Sequence, residues 1–211
     1  MKTSLFDYHL PPERIAQRSV EPRDQAKMLV VDRKTGQLED RHIFDLSSFL
    51  HPNDLLIFND SKVFRARLLG QRNGKEHEVF LLHPITDTEG IWEVLIGRSR
   101  KLNRNDRITL PDNTEATLLE KNDVEGTCRL DFHRPHAEVF LLSERYGAIP
   151  TPPYVDGQDI QEHQYQTVYA KHTGSVAAPT AGFHFTPELL DKLDKQGVHR
   201  AFVTLHVGLG T

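Results

Sequence analysis

Residues 63 to 132 repeat one pattern: a short strand-like run, a turn, then another run, with no convincing helix between them. The runs fall at 63–69, 77–82, 91–96, 107–110, 116–119 and 127–132. The breaks are Asn73-Gly74, Glu89-Gly90, Pro111-Asp112-Asn113 and Glu125-Gly126. Such residues supply the backbone conformations that tight turns need. Regular short strands without helices restrict this stretch to a small barrel or sandwich. Mixed sequence lies on both sides. The expected architecture is therefore a large α/β (or α+β) domain, from 1–61 and 150–211, carrying an inserted all-β, barrel-like domain at 62–149.

The flanks supply the rest. Pro11-Pro12 and Pro22 limit helix near the N-terminus to a short turn around 13–17. Residues 27–33 read as a strand with a return partner at 38–43, and 45–50 as a short helix capped by Asp45. Residues 55–58 form an apolar run, expected to be a buried strand. It delivers Asn59, Asp60 and Ser61 at its end, where a rigid strand holds polar groups in position. A helix is expected at 135–146 with Gly147 as its stop, then a proline-rich linker at 149–154. Helical spacing at 162–170 puts Tyr165 and Tyr169 on one face. A helix at 187–196 points Leu189, Leu190 and Leu193 inward, Gly197 ends it, and a strand follows at 198–207.

The small-residue stretch 174–186 reads G-S-V-A-A-P-T-A-G-F-H-F-T. Its glycines and alanines let a ligand or another backbone approach the main chain. Phe183-His184-Phe185 then sets an imidazole between two rings. Thr186-Pro187-Glu188 reads as a helix start, with a capping hydroxyl, a proline at the first position and an acidic residue at the positive end of the dipole. A buried turn between a strand and a helix fits the same residues.

Charge and cysteine narrow the class. The net charge of −4 argues against a generally basic nucleic-acid coat, but two local patches stand out. One is Lys62, Arg65, Arg67 and Arg72; the other is Arg98, Arg100, Lys101, Arg104 and Arg107. Solvated loops and strand ends are the better explanation of at least one of them. The lone Cys128 allows no intrachain disulfide and fits a reducing compartment. No apolar run of about 18 residues exists and the N-terminus lacks a signal pattern, so a cytoplasmic protein without a membrane partner is expected. His133 and His136 prompt a metal site, but they flank Pro135 and lack matching ligands, so none is assigned.

The run S-V-A-A-P-T-A-G-F-H-F-T resembles the signature of the S-adenosylmethionine:tRNA ribosyltransferase-isomerase family of queuosine biosynthesis. Other segments agree in order along the whole chain: Phe6-Asp7-Tyr8-His9-Leu10-Pro11, Arg23-Asp24, Asn59-Asp60-Ser61-Lys62-Val63, Pro152-Pro153-Tyr154, Tyr165-Gln166-Thr167-Val168-Tyr169-Ala170 and the closing Val203-Thr204-Leu205-His206-Val207-Gly208-Leu209-Gly210-Thr211. Collinearity makes the match more specific than any one motif. Arg65 and Thr151 depart from the family pattern, which usually has proline and leucine there. Relatives continue beyond Thr211, so the large domain is expected to be incomplete here.

The resemblance implies transfer and isomerisation of the ribosyl part of S-adenosylmethionine onto a 7-aminomethyl-7-deazaguanine at the wobble position of a tRNA. Epoxyqueuosine-tRNA, adenine and methionine are the products. S-adenosylmethionine is then a co-substrate, no bound cofactor or metal is implied, and a monomer is expected. Such chemistry needs a base near the sulfonium and an acid for departing adenine, which makes His184, His206 and Asp60 the catalytic candidates, Asp60 if burial raises its pKa. Candidate substrate-binding residues are Asn59, Ser61, Tyr165, Tyr169, Ala178, Thr180, Ala181, Gly182, Phe183, Phe185, Thr186, Gly208 and Gly210. The aromatic ones suit the sulfonium through cation–π attraction, although core packing explains them too. Lys62, Arg65, Arg67, Arg98 and Lys101 are the RNA candidates. Two rivals remain: an S-adenosylmethionine-dependent RNA methyltransferase, for which residues 203–210 offer only a two-glycine match, and a noncatalytic tRNA-binding module.

Overall fold

The protein is described by a computed structural model over residues 1–85, 89–150 and 162–208. Its first strands form an antiparallel hairpin, β1 (Lys27–Val31) and β2 (Leu38–His42). Asp32 shapes the turn: its carboxylate accepts from the backbone N–H groups of Thr35 (2.9 Å) and Lys34 (2.8 Å). Those bonds hold its carboxyl below the usual carboxylate range. A 3-10 turn, Ile43–Ser48, follows. Asp45 caps it, but from the third helical position in a capping box whose N-cap residue is His42. Ile43 N–H bonds the carbonyl of Ala26 (3.0 Å), so the helical turn starts earlier, and Asp45 reaches back to His42 N–H (3.0 Å).

The chain then forms β3 (Leu55–Asn59) and β4 (Ser61–Val63) before entering the all-β region. There β5 (Arg67–Arg72), β6 (Lys75–Pro84), β7 (Ile91–Ile96), β8 (Arg107–Thr109), β9 (Glu115–Asn122) and β10 (Thr127–Asp131) close into an antiparallel barrel of order β10-β7-β6-β5-β8-β9. Period-two alternation puts Val79 and Leu81, Trp92 and Val94, and Ala116 and Leu118 inside. The stretch 63–69 is not one strand: Ala66 N–H turns back onto the carbonyl of Phe64 (2.8 Å), and this bend separates β4 from the barrel. Helix α1 (His136–Tyr146) adds Val139 and Leu142 to the barrel core, and its Phe140 lies 4.9 Å from Trp92 and 5.2 Å from Phe64.

The remaining elements are β11 (His172–Ser175), α2 (Pro187–Lys195) and β12 (His199–Val203). β11 runs parallel to β4, and β12 parallel to β3. Leu189 and Leu193 of α2 pack with Val198, and Leu56 and Phe185 join this cluster. Residues 162–170 hold only a 3-10 turn, Glu162–Tyr165, rather than the expected helix. The side-chain amide of Gln166 accounts for the break: it accepts from Val63 N–H (3.3 Å) and donates to Val63 O (3.1 Å). β3 is also less buried than its apolar run predicts. Its Leu55 and Ile57 are 56% and 65% exposed, because the pleat turns them away from the α2 side that Leu56 occupies.

Candidate active site

Parallel pairing brings the ends of β3 and β12 side by side, and the residues after each strand share one edge. Open parallel sheets place ligands at such ends. Asp60 N–H bonds Val203 O (3.0 Å), and the Asp60 side chain is buried there. Its Oδ1 accepts from the Thr204 hydroxyl (2.7 Å). The Asp60 carbonyl accepts from the N–H groups of Lys171 (2.8 Å) and His172 (3.2 Å), which anchors β11 beside β4. That register sets His172 opposite Ser61 and brings His172 Nε2 to 3.7 Å from Asp60 Oδ2. Sequence reasoning missed His172. It belongs to no motif of its own, and only the long-range β4–β11 pairing places it beside Asp60.

Asn59 does structural service at this edge. Its side-chain carbonyl accepts from Ser61 N–H (3.1 Å) and Leu205 N–H (3.0 Å), and its amide donates to Leu205 O (3.0 Å). Ser175 extends the tie, accepting from Val207 N–H (3.0 Å) and donating to Ala177 O (2.6 Å). His206 thereby sits over Gly174: a Cβ built on that glycine would lie 2.8 to 3.0 Å from three imidazole atoms. Gly174 also has φ +150°, which side chains disfavour. Gly174→Ala is expected to displace the His206 ring and cost about 1–2 kcal/mol. The His206 ring resonances in NMR and the urea midpoint read both effects; an unmoved ring contradicts the packing.

The signature segment folds as a 3-10 turn, Thr180–His184, running into α2. Thr186 caps α2 as expected, accepting from Leu189 N–H (3.1 Å) and donating to Asp24 Oδ2 (3.4 Å). Arg23, next to it, donates to the carbonyls of Gln166 (2.7 Å) and His163. Thr180 and Ala181 are exposed, whereas Ala178 and Gly182 are buried. The need for glycine at 182 is internal: a Cβ there would overlap the Tyr169 hydroxyl and come 2.8 Å from Thr167 Cγ2. Tyr169 and Phe185 both pack on Phe58, at 4.8 and 5.0 Å between ring centroids. Tyr165 and Phe183 form a second pair at 5.4 Å, joined to Val63 and Ala178.

Burial tunes two groups here. It pushes the Tyr169 hydroxyl up to about 12, so the phenol stays protonated and can donate. It lowers the His184 pKa below the usual imidazole value, so the ring is neutral at pH 7. His184 shares no hydrogen bond or ring contact with Asp60 or His206 among the described residues. Two hydroxyls, Ser61 Oγ and Thr167 Oγ1, are buried without a hydrogen-bond partner among those residues.

The RNA candidates fall in two places. Lys62 is exposed on β4, Arg65 is half-buried, and Arg67 Nε lies 3.6 Å from Glu78 Oε2. Arg98 and Lys101 belong to the loop between β7 and β8, outside the strand-end cluster. Gly208 is half-buried after β12; Gly210 and Pro152-Pro153-Tyr154 lie outside the described residues. Among the described residues no three histidine, cysteine or acidic side chains form a metal-binding set, and no helix is long and apolar enough to cross a membrane.

Comparison with known proteins assigns the family. A family model described as queuosine biosynthesis protein matches residues 3–211. A Sulfurihydrogenibium protein named S-adenosylmethionine:tRNA ribosyltransferase-isomerase is 44% identical over 215 residues, covering 100% of this chain and 62% of the relative. A Thermotoga maritima protein of the same name is 43% identical, covering 100% and 61%. The chain thus spans less than two thirds of the length of these curated relatives. A solved structure of S-adenosylmethionine tRNA ribosyltransferase from Thermotoga maritima shares 33% identity over 96% of this chain and 58% of that one, with a TM-score of 0.39. With the family model matching from residue 3 to residue 211, the chain belongs to the queuosine biosynthesis protein family.

Proposed function

We propose that this protein transfers and isomerises the ribosyl group of S-adenosylmethionine onto the aminomethyl group of a 7-deazaguanine at the tRNA wobble position. Epoxyqueuosine-tRNA forms, and adenine and methionine leave. The observation that carries this reading is the gathering of Asp60, His172 and Thr204 at the parallel strand ends, with His206 over Gly174 of the adjoining β11, in a chain whose relatives bear that activity in their name. The large domain is taken as 1–61 and 150–211, with 62–149 inserted. The protein works as a cytoplasmic monomer without a resident metal or prosthetic group.

The reaction asks for a proton acceptor, a proton donor and a place for positive charge. The sulfonium acidifies the adjacent sugar carbon, and His184, kept neutral by burial, accepts that proton. Asp60 supplies negative charge toward the sulfonium and holds His172 in reach. His206, exposed above Gly174, protonates departing adenine. The orphaned hydroxyls of Ser61 and Thr167 gain partners from the polar ribose or methionine groups. Thr180 and Ala181, on the exposed side of the signature turn, meet the adenosyl portion.

Product analysis tests the reading: S-adenosylmethionine is incubated with tRNA carrying the aminomethyl base. RNA-dependent release of free adenine supports it; S-adenosylhomocysteine instead of adenine indicates methyl transfer and overturns it. The pH profile tests His184. Because its pKa is lowered, the acid limb of kcat/KM is expected to have its midpoint below the ordinary imidazole value of about 6.5. An acid limb centred above 6.5 removes His184 as the base.

A further inference from the structure

Most arginines of the barrel are neutralised where they stand. Arg67 faces Glu78, Arg72 faces Asp106, Arg107 faces Glu115 and Arg134 faces Asp112. Arg129 reaches both Glu93 and Glu120. The loop from β7 to β8 differs. Arg98, Arg100, Lys101 and Arg104 are all exposed, and among the described residues none of them pairs with a carboxylate. On a chain of net charge −4, this is a local concentration of uncompensated positive charge.

The loop backbone is fixed. Leu102 is buried to 1% in the barrel core, and its carbonyl accepts from Lys121 Nζ (2.8 Å). Asp106 holds the far side, accepting from Asn103 N–H (2.7 Å) and from Arg72 (2.5 Å). Asn105 N–H bonds Leu118 O (2.7 Å). Arg98 keeps a left-handed backbone, φ 62°, that arginine rarely adopts. Cations on a fixed backbone lose less freedom when a partner docks. Arg104 also borders a cavity of ≈ 610 Å³ whose wall mixes Ile85, Ile91, Leu118 and Leu119 with the charged Glu120, Lys121, Asp123 and Arg129. Exposed cations on a fixed loop suit the closely spaced phosphates of a structured RNA.

We propose that this loop forms a docking surface for structured RNA, separate from the strand-end cluster. Phosphates lie against Arg98, Arg100, Lys101 and Arg104. The inference rests on the reading that the substrate is an RNA, and adds which face of the barrel holds it.

Binding of a fluorescein-labelled tRNA is measured by anisotropy across a potassium chloride series. The variant carries Arg100→Glu, Lys101→Glu and Arg104→Glu; a control of equal charge change carries Lys34→Glu, Lys75→Glu and Lys192→Glu, three exposed lysines on other elements. The loop variant is expected to bind at least about tenfold more weakly, with its log–log salt slope flattened by about two. The control should stay within about twofold of wild type at the same salt. Equal weakening in both variants, or none in the loop variant, overturns the surface. So does a polyglutamate competitor that displaces the RNA as well as unlabelled RNA does. Because anisotropy needs no turnover, these outcomes stay separate from the fate of the ribosyl reaction: loop-dependent binding without adenine release keeps the surface and removes the reaction.

Discussion

Asp60→Asn is expected to lower RNA-dependent adenine release by about 10²- to 10³-fold while leaving the unfolding midpoint nearly unchanged. The Asp60 side chain has two separable jobs. Asparagine can still accept the Thr204 hydroxyl bond that Oδ1 now takes at 2.7 Å. The backbone bonds of residue 60 to Val203, Lys171 and His172 do not depend on the side chain. What asparagine loses is the negative charge facing His172 at 3.7 Å, on the edge where a sulfonium would sit. Asp60→Ala also removes the hydrogen bond from the Thr204 hydroxyl, at a cost of only about 1 kcal/mol because Thr204 is exposed and water replaces the partner. Near-native turnover in Asp60→Asn would reduce Asp60 to a structural tie. His172→Gln gives a companion reading: a fall in kcat with little change in the KM for S-adenosylmethionine fits a positioning partner of Asp60.

Gly182→Ala is expected to cost about 2–3 kcal/mol, more than a surface glycine would. The added methyl overlaps the Tyr169 hydroxyl and crowds Thr167 Cγ2 at 2.8 Å. Tyr169 has nowhere to retreat, since Phe58 is 4.8 Å and Phe202 5.9 Å from its ring. The signature turn would have to move instead, carrying Phe183 and His184 with it, so activity falls with stability. Tyr169→Phe removes the clashing oxygen. The double variant should therefore recover part of the loss, with a coupling of about 1 kcal/mol or more by denaturant titration. Strictly additive effects would contradict the packing described for Gly182.

This glycine shows where the sequence was legible and where it was not. The small residues of 174–186 suggested room for a ligand, and composition cannot distinguish that from room for another side chain. At Gly182 the occupant is Tyr169, and at Gly174 it is His206. Local signals read well. Turn pairs such as Asn73-Gly74 mark the barrel hairpins, and Thr186-Pro187-Glu188 marks the start of α2. Long-range pairing did not read. The broken helix after Tyr165 and the place of His172 follow from contacts more than a hundred residues apart, through Gln166–Val63 and β4–β11. The basic patches illustrate the same limit. From sequence Arg65 and Arg67, near the domain junction, are the most attractive RNA contacts, but folding sets Arg67 against Glu78 and leaves Lys101 without a carboxylate among the described residues.

The central claim is that the ribosyl carbons, not the methyl group, move to the RNA. Supplying S-adenosylmethionine labelled with ¹⁴C in the ribose and ³H in the methyl group follows both at once. The account predicts ¹⁴C in the RNA, ³H in free methionine and unlabelled adenine in the supernatant. Tritium in the RNA, with ¹⁴C remaining in S-adenosylhomocysteine, would contradict it.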